Sequence, residues 1–393
     1  MSSQRCPTCK GQEFEICASN PAHTINYGTV VFSQKIDNAL CRTCGQVQNY
    51  PQPSEEELGK IYRAMTRNVV EGVVHDYSTL PIESAQYEFV MAHAALPGSP
   101  RVLDIGCSLG GFLSLFAQNG ARVVGCEPSQ ADGKVAAARG IEIVPRMFSL
   151  ADYSPASFDL IALRFVFEHL SDPARMLADL KTLLKPGGMV FIEVPDLAHS
   201  FIGLDDFFSF GHTFTFSSET LQQMVEAEGY SVAKLAECNN RDLPRRTFPS
   251  LRLLATPDGH VPVLKSHVSR SLELVRSYDD ARRALVVAIG TRLEQAGVAQ
   301  AQRLVIYGAG THSAELLLAF PWLINSCMAF VDGNRELQGH DYFGRPVLSP
   351  SELPVLNAER IIISAREAES EILSYLASIG LAERAIPLYS GER

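Results

Sequence analysis

No stretch of the 393 residues approaches the ~18 consecutive apolar positions that a membrane-spanning helix needs. The opening run Met1-Ser2-Ser3-Gln4-Arg5-Cys6 lacks the apolar core of a signal peptide, so a cytoplasmic location is expected. Basic charge is in short supply: 34 Lys and Arg stand against 44 Asp and Glu, a formal net charge of −10. That balance argues against a nucleic-acid partner, whose binders usually carry a visible excess of Lys and Arg. Short-period repeats and low-complexity tracts are also missing, which excludes solenoid and tail-like architectures. What remains is an ordinary globular composition, 46% hydrophobic and 20% charged with mean hydropathy +0.03, long enough for two or three domains.

Nine cysteines in a reducing compartment are not expected to form disulfides. Four of them fall in pairs. Cys6-Pro7-Thr8-Cys9 and Cys41-Arg42-Thr43-Cys44 are separated by 31 residues. Each C-x-x-C can set two thiolates on one tight turn, and two such turns close a four-sulfur shell that suits structural Zn²⁺. The intervening chain, including the β-rich run Thr29-Val30-Val31-Phe32 after Gly28, suits a small ribbon of strands. Cys17 reads as a buried small hydrophobe or as a replacement for one of the four ligands.

Four segments follow from the pattern: a zinc-binding head over 1–53, a catalytic domain with N-terminal helices over 54–260, a charged helical connector over 261–301 and a smaller α/β domain over 302–393. Ser54 and Glu57 form a capping-box pattern that opens the helical stretch 54–98. Residues 99–260 alternate apolar strands with helical patterns, which predicts a parallel sheet.

The centre of the chemistry is Val102-Leu103-Asp104-Ile105-Gly106-Cys107-Ser108-Leu109-Gly110-Gly111. It predicts a strand, a turn and a helix that starts near Phe112. Gly106 and Gly110 are expected to let backbone approach a ligand closely. An acid, Asp104, ahead of the glycines does not suit a pyrophosphate. It suits a phosphate-free ligand with an ammonium group, such as S-adenosylmethionine. Val123-Val124-Gly125-Cys126-Glu127 then ends a second strand in an acid 23 residues after Asp104, placed to accept both ribose hydroxyls, with Pro128 at the mouth. Phe158–Ala162 reads as the next strand of the order, followed by Phe167-Glu168-His169. Leu184-Lys185-Pro186-Gly187-Gly188 feeds a further strand that ends near Glu193. Cys107 and Cys126 read as core-facing.

In this order the elements resemble class I S-adenosylmethionine-dependent methyltransferases over roughly residues 85–235. The resemblance implies a Rossmann-like central domain and cofactor contacts from Asp104, Gly106, Cys107, Ser108, Gly110, Glu127 and Pro128. Ser108 stands where many members carry glycine. The segment Arg146-Met147-Phe148-Ser149 lacks the Asp that often holds the adenine amine, and Phe148 is expected to pack against the ring instead. With the cysteine head and a tail turn Tyr307-Gly308-Ala309-Gly310, the whole chain resembles the three-domain sugar C-methyltransferases. That family has a Tyr-His-Glu-His cluster after its fifth strand. Here the run is Ser209-Phe210-Gly211-His212, and only His212 is kept. The family's other active-site histidine fits His169.

Methyl transfer is an in-line displacement in which the protein places the acceptor and removes its proton. Histidine has the pKa for that task. His212 is the expected general base, with His169 second, Glu168 orienting a ligand or capping a helix, and His199 a weaker candidate. The aromatic run Phe207–Phe216 is expected to cover the reacting end of the cofactor. The tail turn Gly308–Gly310, with Asp332 24 residues after Gly308, is expected either to hold the nucleotide half of a sugar nucleotide, to bind NAD, or to serve packing alone. The leading expectation is methyl transfer to a sugar, sugar nucleotide or glycan precursor, with carbon, oxygen and nitrogen acceptors all open. A zinc-ribbon RNA methyltransferase and a non-catalytic assembly protein that keeps the fold are the alternatives.

Overall fold

The computed structural model describes residues 4–27, 30–54, 56–59, 80–200, 202–204, 207–240, 249–366 and 368–389. It divides the chain into two compact units. The first comprises Met1–Ala18, Asp37–Phe201 and Phe210–Val275, and the second Ser19–Ile36, Ile202–Ser209 and Arg276–Arg393. The four paired cysteines therefore lie in the first unit, whereas Ser19–Ile36 between them belongs to the second.

The head contributes β1 (Phe14–Tyr27), β2 (Val30–Cys41) and β3 (Val47–Asn49). Of the sequence-predicted run, Gly28 and Thr29 lie outside the described residues. The four-stranded sheet β1-β2-β3 is completed by β9 (Phe214–Thr215), a two-residue strand from the central domain. Ser54 and Glu57 make the expected capping box: the Ser54 amide donates to Glu57 Oε2 (2.8 Å) and the Glu57 amide to Ser54 Oγ (3.2 Å). Residues 60–79 of the expected helical stretch lie outside the described residues. Helix α1 (Pro81–His93) follows, and residues 94–98 are not helical.

The central sheet has seven strands in the order β10-β11-β8-β7-β4-β5-β6. These are β4 (Arg101–Ile105), β5 (Arg122–Cys126), β6 (Glu142–Val144), β7 (Phe158–Arg164), β8 (Leu184–Pro195), β10 (Tyr230–Cys238) and β11 (Ser250–Pro257). Strands β4 to β8 are parallel, but β11 runs antiparallel to both β8 and β10. The all-parallel expectation is corrected: β11 lies between β8 and β10 and is antiparallel to each. Helices α2 (Gly111–Gln118), α3 (Gln130–Ala138), α4 (Pro173–Leu183) and α5 (Ser218–Ala227) link the strands. Alternation along β4 sends Leu103 and Ile105 into one core layer and Val102 into the other, so the sheet is buried on both faces.

Helix α6 (Val268–Gln295) is more than a connector. Its Leu285, Ile289 and Leu293 are buried in the core of the second unit. That unit is built on a six-stranded sheet, β14-β15-β13-β12-β16-β17. Its strands are β12 (Leu304–Tyr307), β13 (Cys327–Val331), β14 (Asp341–Tyr342), β15 (Arg345–Leu348), β16 (Arg360–Ile363) and β17 (Ala385–Pro387), parallel except for the β14–β15 hairpin. Helix α7 (Thr311–Ala319) leaves the turn after β12. No described helix is long and apolar enough to cross a membrane.

Candidate functional site

The turn between β4 and α2 is shaped by backbone conformation. Gly106 and Gly110 both adopt φ +75°, and Ser108 sits at φ +49°. The left-handed region costs a side chain about 1–2 kcal/mol, so Ser108 holds a strained backbone in the turn. The expected reason for the two glycines is revised. A Cβ on Gly106 would lie 2.6 Å from Val166 Cγ2, and one on Gly110 would lie 2.4 Å from Ile141 Cδ1. Packing and positive φ require them, and the Gly106 contact ties the turn to the loop that carries Glu168 and His169.

Glu127 ends β5, buried beside that turn. Its Oε2 accepts the Ser108 amide (2.9 Å) and its Oε1 the Ser129 amide (2.7 Å). Burial pushes its carboxyl up, and these two backbone donors pull it back. Pro128 is half-buried next to it. Cys107 and Cys126 are core residues as expected, and the Cys126 thiol donates to the Arg146 carbonyl (3.1 Å). Phe148 stacks on Tyr153 with ring centroids 5.6 Å apart.

Asp104 faces inward. Alternation puts it on the same face of β4 as Val102, and its carboxylate is fully buried. Arg164, at the end of β7, reaches it with Nη2 at 2.8 Å and Nε at 3.3 Å from Oδ2. The Arg164 guanidinium also lies over the Phe112 ring (4.5 Å) and donates to Gln86 Oε1 (2.7 Å). Gln86 in turn donates to Glu193 (2.7 Å), which accepts from Arg252 Nε (3.0 Å). The direct ligand contact expected of Asp104 thus gives way to an internal ion pair. The sequence reading missed Arg164, Gln86, Glu193 and Arg252. The signal was there: two arginines inside apolar strand runs, Leu163-Arg164 and Leu251-Arg252-Leu253, need buried partners.

Three residues expected to do chemistry converge. Glu168, His169 and His212 each bring a side-chain N or O to within 4.8 Å of one another. The His169 and His212 rings are 4.9 Å apart between centroids. His169 Nδ1 donates to the Gly211 carbonyl (2.7 Å), so in neutral His169 the lone pair is on Nε2. Burial holds His169 below the usual histidine value, and the Gly211 carbonyl offsets part of that. Burial pushes Glu168 up to about 8; its own backbone amide opposes this and the Glu193 charge adds to it. Glu168 Oε2 is buried with no hydrogen-bond partner among the described residues. Phe165, just before this loop, holds φ +54°, a strained state for an aromatic residue of the kind found at functional sites.

The aromatic run does not form one cover. Phe207 and Phe208 pack on Tyr278 within the second unit, while Phe214 and Phe216 are core residues of the first, Phe216 stacked on Phe167. Rings this large are stabilised more by burial than by lining an open crevice. His199 binds Asp196 (Nδ1 to Oδ2, 2.7 Å) in a separate cluster with Glu237.

The four paired cysteines come together as the sequence predicts. Cys6 and Cys44 sulfurs are 3.5 Å apart, as are those of Cys9 and Cys41, and all four lie within 4.8 Å. Zn–S bonds of about 2.3 Å in a tetrahedron set sulfurs about 3.8 Å apart, so the cluster fits a metal. None of the nine cysteines is in a disulfide.

In the second unit, Gly308 adopts φ +117° and a Cβ there would meet the Ser364 carbonyl at 2.5 Å. Asp332 Oδ2 accepts the Ala309 amide (2.8 Å), and Ser313 Oγ donates to the Gly308 carbonyl (2.7 Å). Helix α7 begins at Gly310 with no side-chain cap.

A family model described as a methyltransferase domain matches residues 83–235. Those residues are thus similar to methyltransferase domains. A second family model, described as C2185-like, N-terminal, matches residues 300–387. Ubiquinone biosynthesis O-methyltransferases of Stutzerimonas stutzeri (strain A1501) and Hahella chejuensis (strain KCTC 2396) are each 36% identical over 118 residues, which is 28% of this chain and 50% and 49% of theirs. The chain thus spans about half the length of the curated relatives it matches. The crystal structure of an S-adenosylmethionine-dependent methyltransferase from Mesorhizobium loti is similar at 17% identity and TM-score 0.36, over 44% of this chain and 97% of that one. The relatives named here are O-methyltransferases of ubiquinone biosynthesis, whereas the sequence resemblance pointed to sugar C-methyltransferases.

Within the methyltransferase domain, the raised Glu168 has a stability consequence. Between its ordinary 4.5 and about 8, the unfolded chain is ionised while the folded one keeps the proton. Stability therefore falls as pH rises through that window, by up to about 1.4 kcal/mol per pH unit, and levels off above it. Glu168→Gln is expected to abolish this fall. Urea unfolding at a series of pH values checks it, and parallel curves for the two proteins would contradict it.

Proposed function

We propose that this protein transfers a methyl group from S-adenosylmethionine to a hydroxyl of a small carbohydrate acceptor, a sugar nucleotide or glycan precursor. The observation that carries the reading is the meeting of His212 with Glu168 and His169, whose loop packs through Val166 against the Gly106 turn. When bound, S-adenosylmethionine supplies an activated methyl group with its own leaving group, so the chain has to hold the acceptor and take its proton. His212 is the general base. His169, oriented by its Nδ1–H bond to the Gly211 carbonyl, shares the proton, and neutral Glu168 orients the pair. The Gly106–Gly110 turn, with Cys107 and Ser108, holds the cofactor, Glu127 its ribose, Pro128 the mouth and Phe148 the adenine. Asp104 contributes through its pairing with Arg164.

Oxygen as the acceptor atom draws support from the O-methyltransferase names of the relatives. The carbohydrate class draws support from the position of the Gly308–Gly310 turn, which follows β12 and opens helix α7. In division of labour, residues 1–53 brace, 54–260 catalyse, 261–301 connect and 302–393 hold the acceptor's nucleotide. The test is mass spectrometry after incubation with isotopically labelled S-adenosylmethionine and a panel of sugar nucleotides and catechols. A labelled sugar nucleotide is expected; label in catechols alone would replace the acceptor reading.

The cysteine cluster holds structural zinc in this reading, because four thiolates leave no coordination site open. Elemental analysis is expected to find about one zinc per chain. Chelation under mild denaturant is expected to lower the thermal midpoint by roughly 5–10 °C. A metal-free preparation with the same midpoint would contradict it.

A further inference from the structure

The chain leaving the second cysteine knuckle grips the His212 segment on both sides. Strand β3 pairs antiparallel with β9, Val47 opposite Thr215 and Gln48 opposite Phe214. The Asn49 amide donates to the Thr213 carbonyl (3.0 Å) and its Nδ2 to the Phe210 carbonyl (3.1 Å). Gln46 Nε2 donates to the Thr215 carbonyl (2.9 Å). Four residues next to Cys44 thus fix the backbone at 210, 213 and 215, with His212 between.

The knuckle itself is a tight turn. The Gly45 amide donates to the Cys41 carbonyl and the Cys41 amide to the Gln46 carbonyl, both 2.9 Å, with Gly45 at φ +88°. From the other side, the single Thr213 Oγ1 hydrogen is shared between the Leu170 carbonyl (2.6 Å) and the Glu168 carbonyl (2.9 Å). The Gly211 carbonyl accepts His169 Nδ1. Gln46, Asn49 and Thr213 are all buried, so each bond is held away from competing water.

We infer that Asn49 and Thr213 are positioning residues, through which the cysteine head locks the His212 segment onto the Glu168–His169 turn. The head acts as a brace for the proton-handling pair, which gives it a task in small-molecule chemistry without any nucleic acid. The inference rests on the reading of His169 and His212 given above.

Thr213→Val keeps the shape of the side chain and removes the hydroxyl; Thr213→Ser restores the hydroxyl. Both are compared with the full-length wild-type protein. Three readouts need no acceptor: hydrogen exchange of peptides spanning 207–216, the ¹⁵N-histidine NMR signature of the His169 tautomer, and calorimetric affinity for S-adenosylhomocysteine. Thr213→Val is expected to speed exchange by about ten-fold and to replace the Nδ1–H form of His169 with a tautomer mixture, while affinity stays within about two-fold. Thr213→Ser is expected to return all three readouts to wild type. Asn49→Ala is expected to move exchange in the same direction. With an acceptor in hand, Thr213→Val lowers kcat and leaves KM nearly unchanged.

Wild-type exchange and tautomer in Thr213→Val overturn the inference. So does a Thr213→Ser protein as perturbed as Thr213→Val, which assigns the effect to packing. If exchange and tautomer respond as expected but His212→Ala still transfers methyl at the wild-type rate, the general-base reading fails and the brace stands.

Discussion

Arg164→Ala is expected to destabilise the protein by about 3–5 kcal/mol, a large share of what an ordinary domain has. The Asp104 carboxylate is fully buried, and the Arg164 guanidinium is the cation in contact with it among the described residues. Removing the arginine leaves that carboxylate without a counter-charge in the sheet interior, and strips Gln86 Oε1 of its donor. The outcome is a carboxyl that must take up a proton to stay folded, so the loss is greatest at high pH and smaller in acid. Removing both charges separates the pair from its parts. Asp104→Leu with Arg164→Met is expected to recover most of the loss, since two apolar side chains of similar size tolerate the site better than one lone charge. Urea denaturation of the wild-type protein and the two variants checks this. A double variant as unstable as Arg164→Ala would mean that the guanidinium's stacking on Phe112 and its bond to Gln86, and not the pairing of charges, hold the site together.

The second large effect is on rate. His212→Ala and His169→Ala are each expected to lower methyl transfer by about 10²–10⁴-fold, the usual worth of a placed general base. Affinity for the cofactor is expected to change little, because both histidines belong to the Glu168 cluster and neither belongs to the glycine turn. The two losses are expected to be far from additive, since the rings stand 4.9 Å apart and handle the same proton. The acid limb of the kcat/KM profile is expected below the ordinary histidine value of 6.5, because burial lowers His169. Single-turnover measurements over a pH series check both points. Additive losses, or an acid limb above that value, would assign the histidines to separate tasks.

Much of the site was legible because its parts are local. The strand, turn and helix from Val102 to Gln118 are encoded by an apolar run, glycines at positive φ and an amphipathic start. Glu127 is found by its distance along the chain from Asp104, since one strand-helix-strand unit has a nearly fixed length. The cysteine pairs read themselves, because a C-x-x-C turn is a local object. The contacts that were not legible are the ones between distant segments. A two-residue strand, Phe214–Thr215, has no periodicity to detect, yet it completes the sheet of the head. Asp104 looked like a ligand contact because its neighbours in sequence form a glycine turn. Alternation along β4 decides otherwise, and the partner, Arg164, is 60 residues away. The reversal of β11 is hidden for a similar reason, since a strand buried on both faces is apolar throughout whichever way it runs. Helix α6 read as a charged connector because its polar positions outnumber its buried ones, although Leu285, Ile289 and Leu293 recur at helical spacing and seat it in the second core.

All of this depends on an adenosine ligand sitting against Glu127 and the Gly106–Gly110 turn. Isothermal titration of the full chain with S-adenosylhomocysteine tests that most directly. The account predicts one site per chain in the wild-type protein and an affinity lower by about two orders of magnitude in Glu127→Ala, the cost of losing a carboxylate that takes two ribose hydroxyls. Equal affinity in the two proteins, or heat only when NAD is injected in its place, would contradict it.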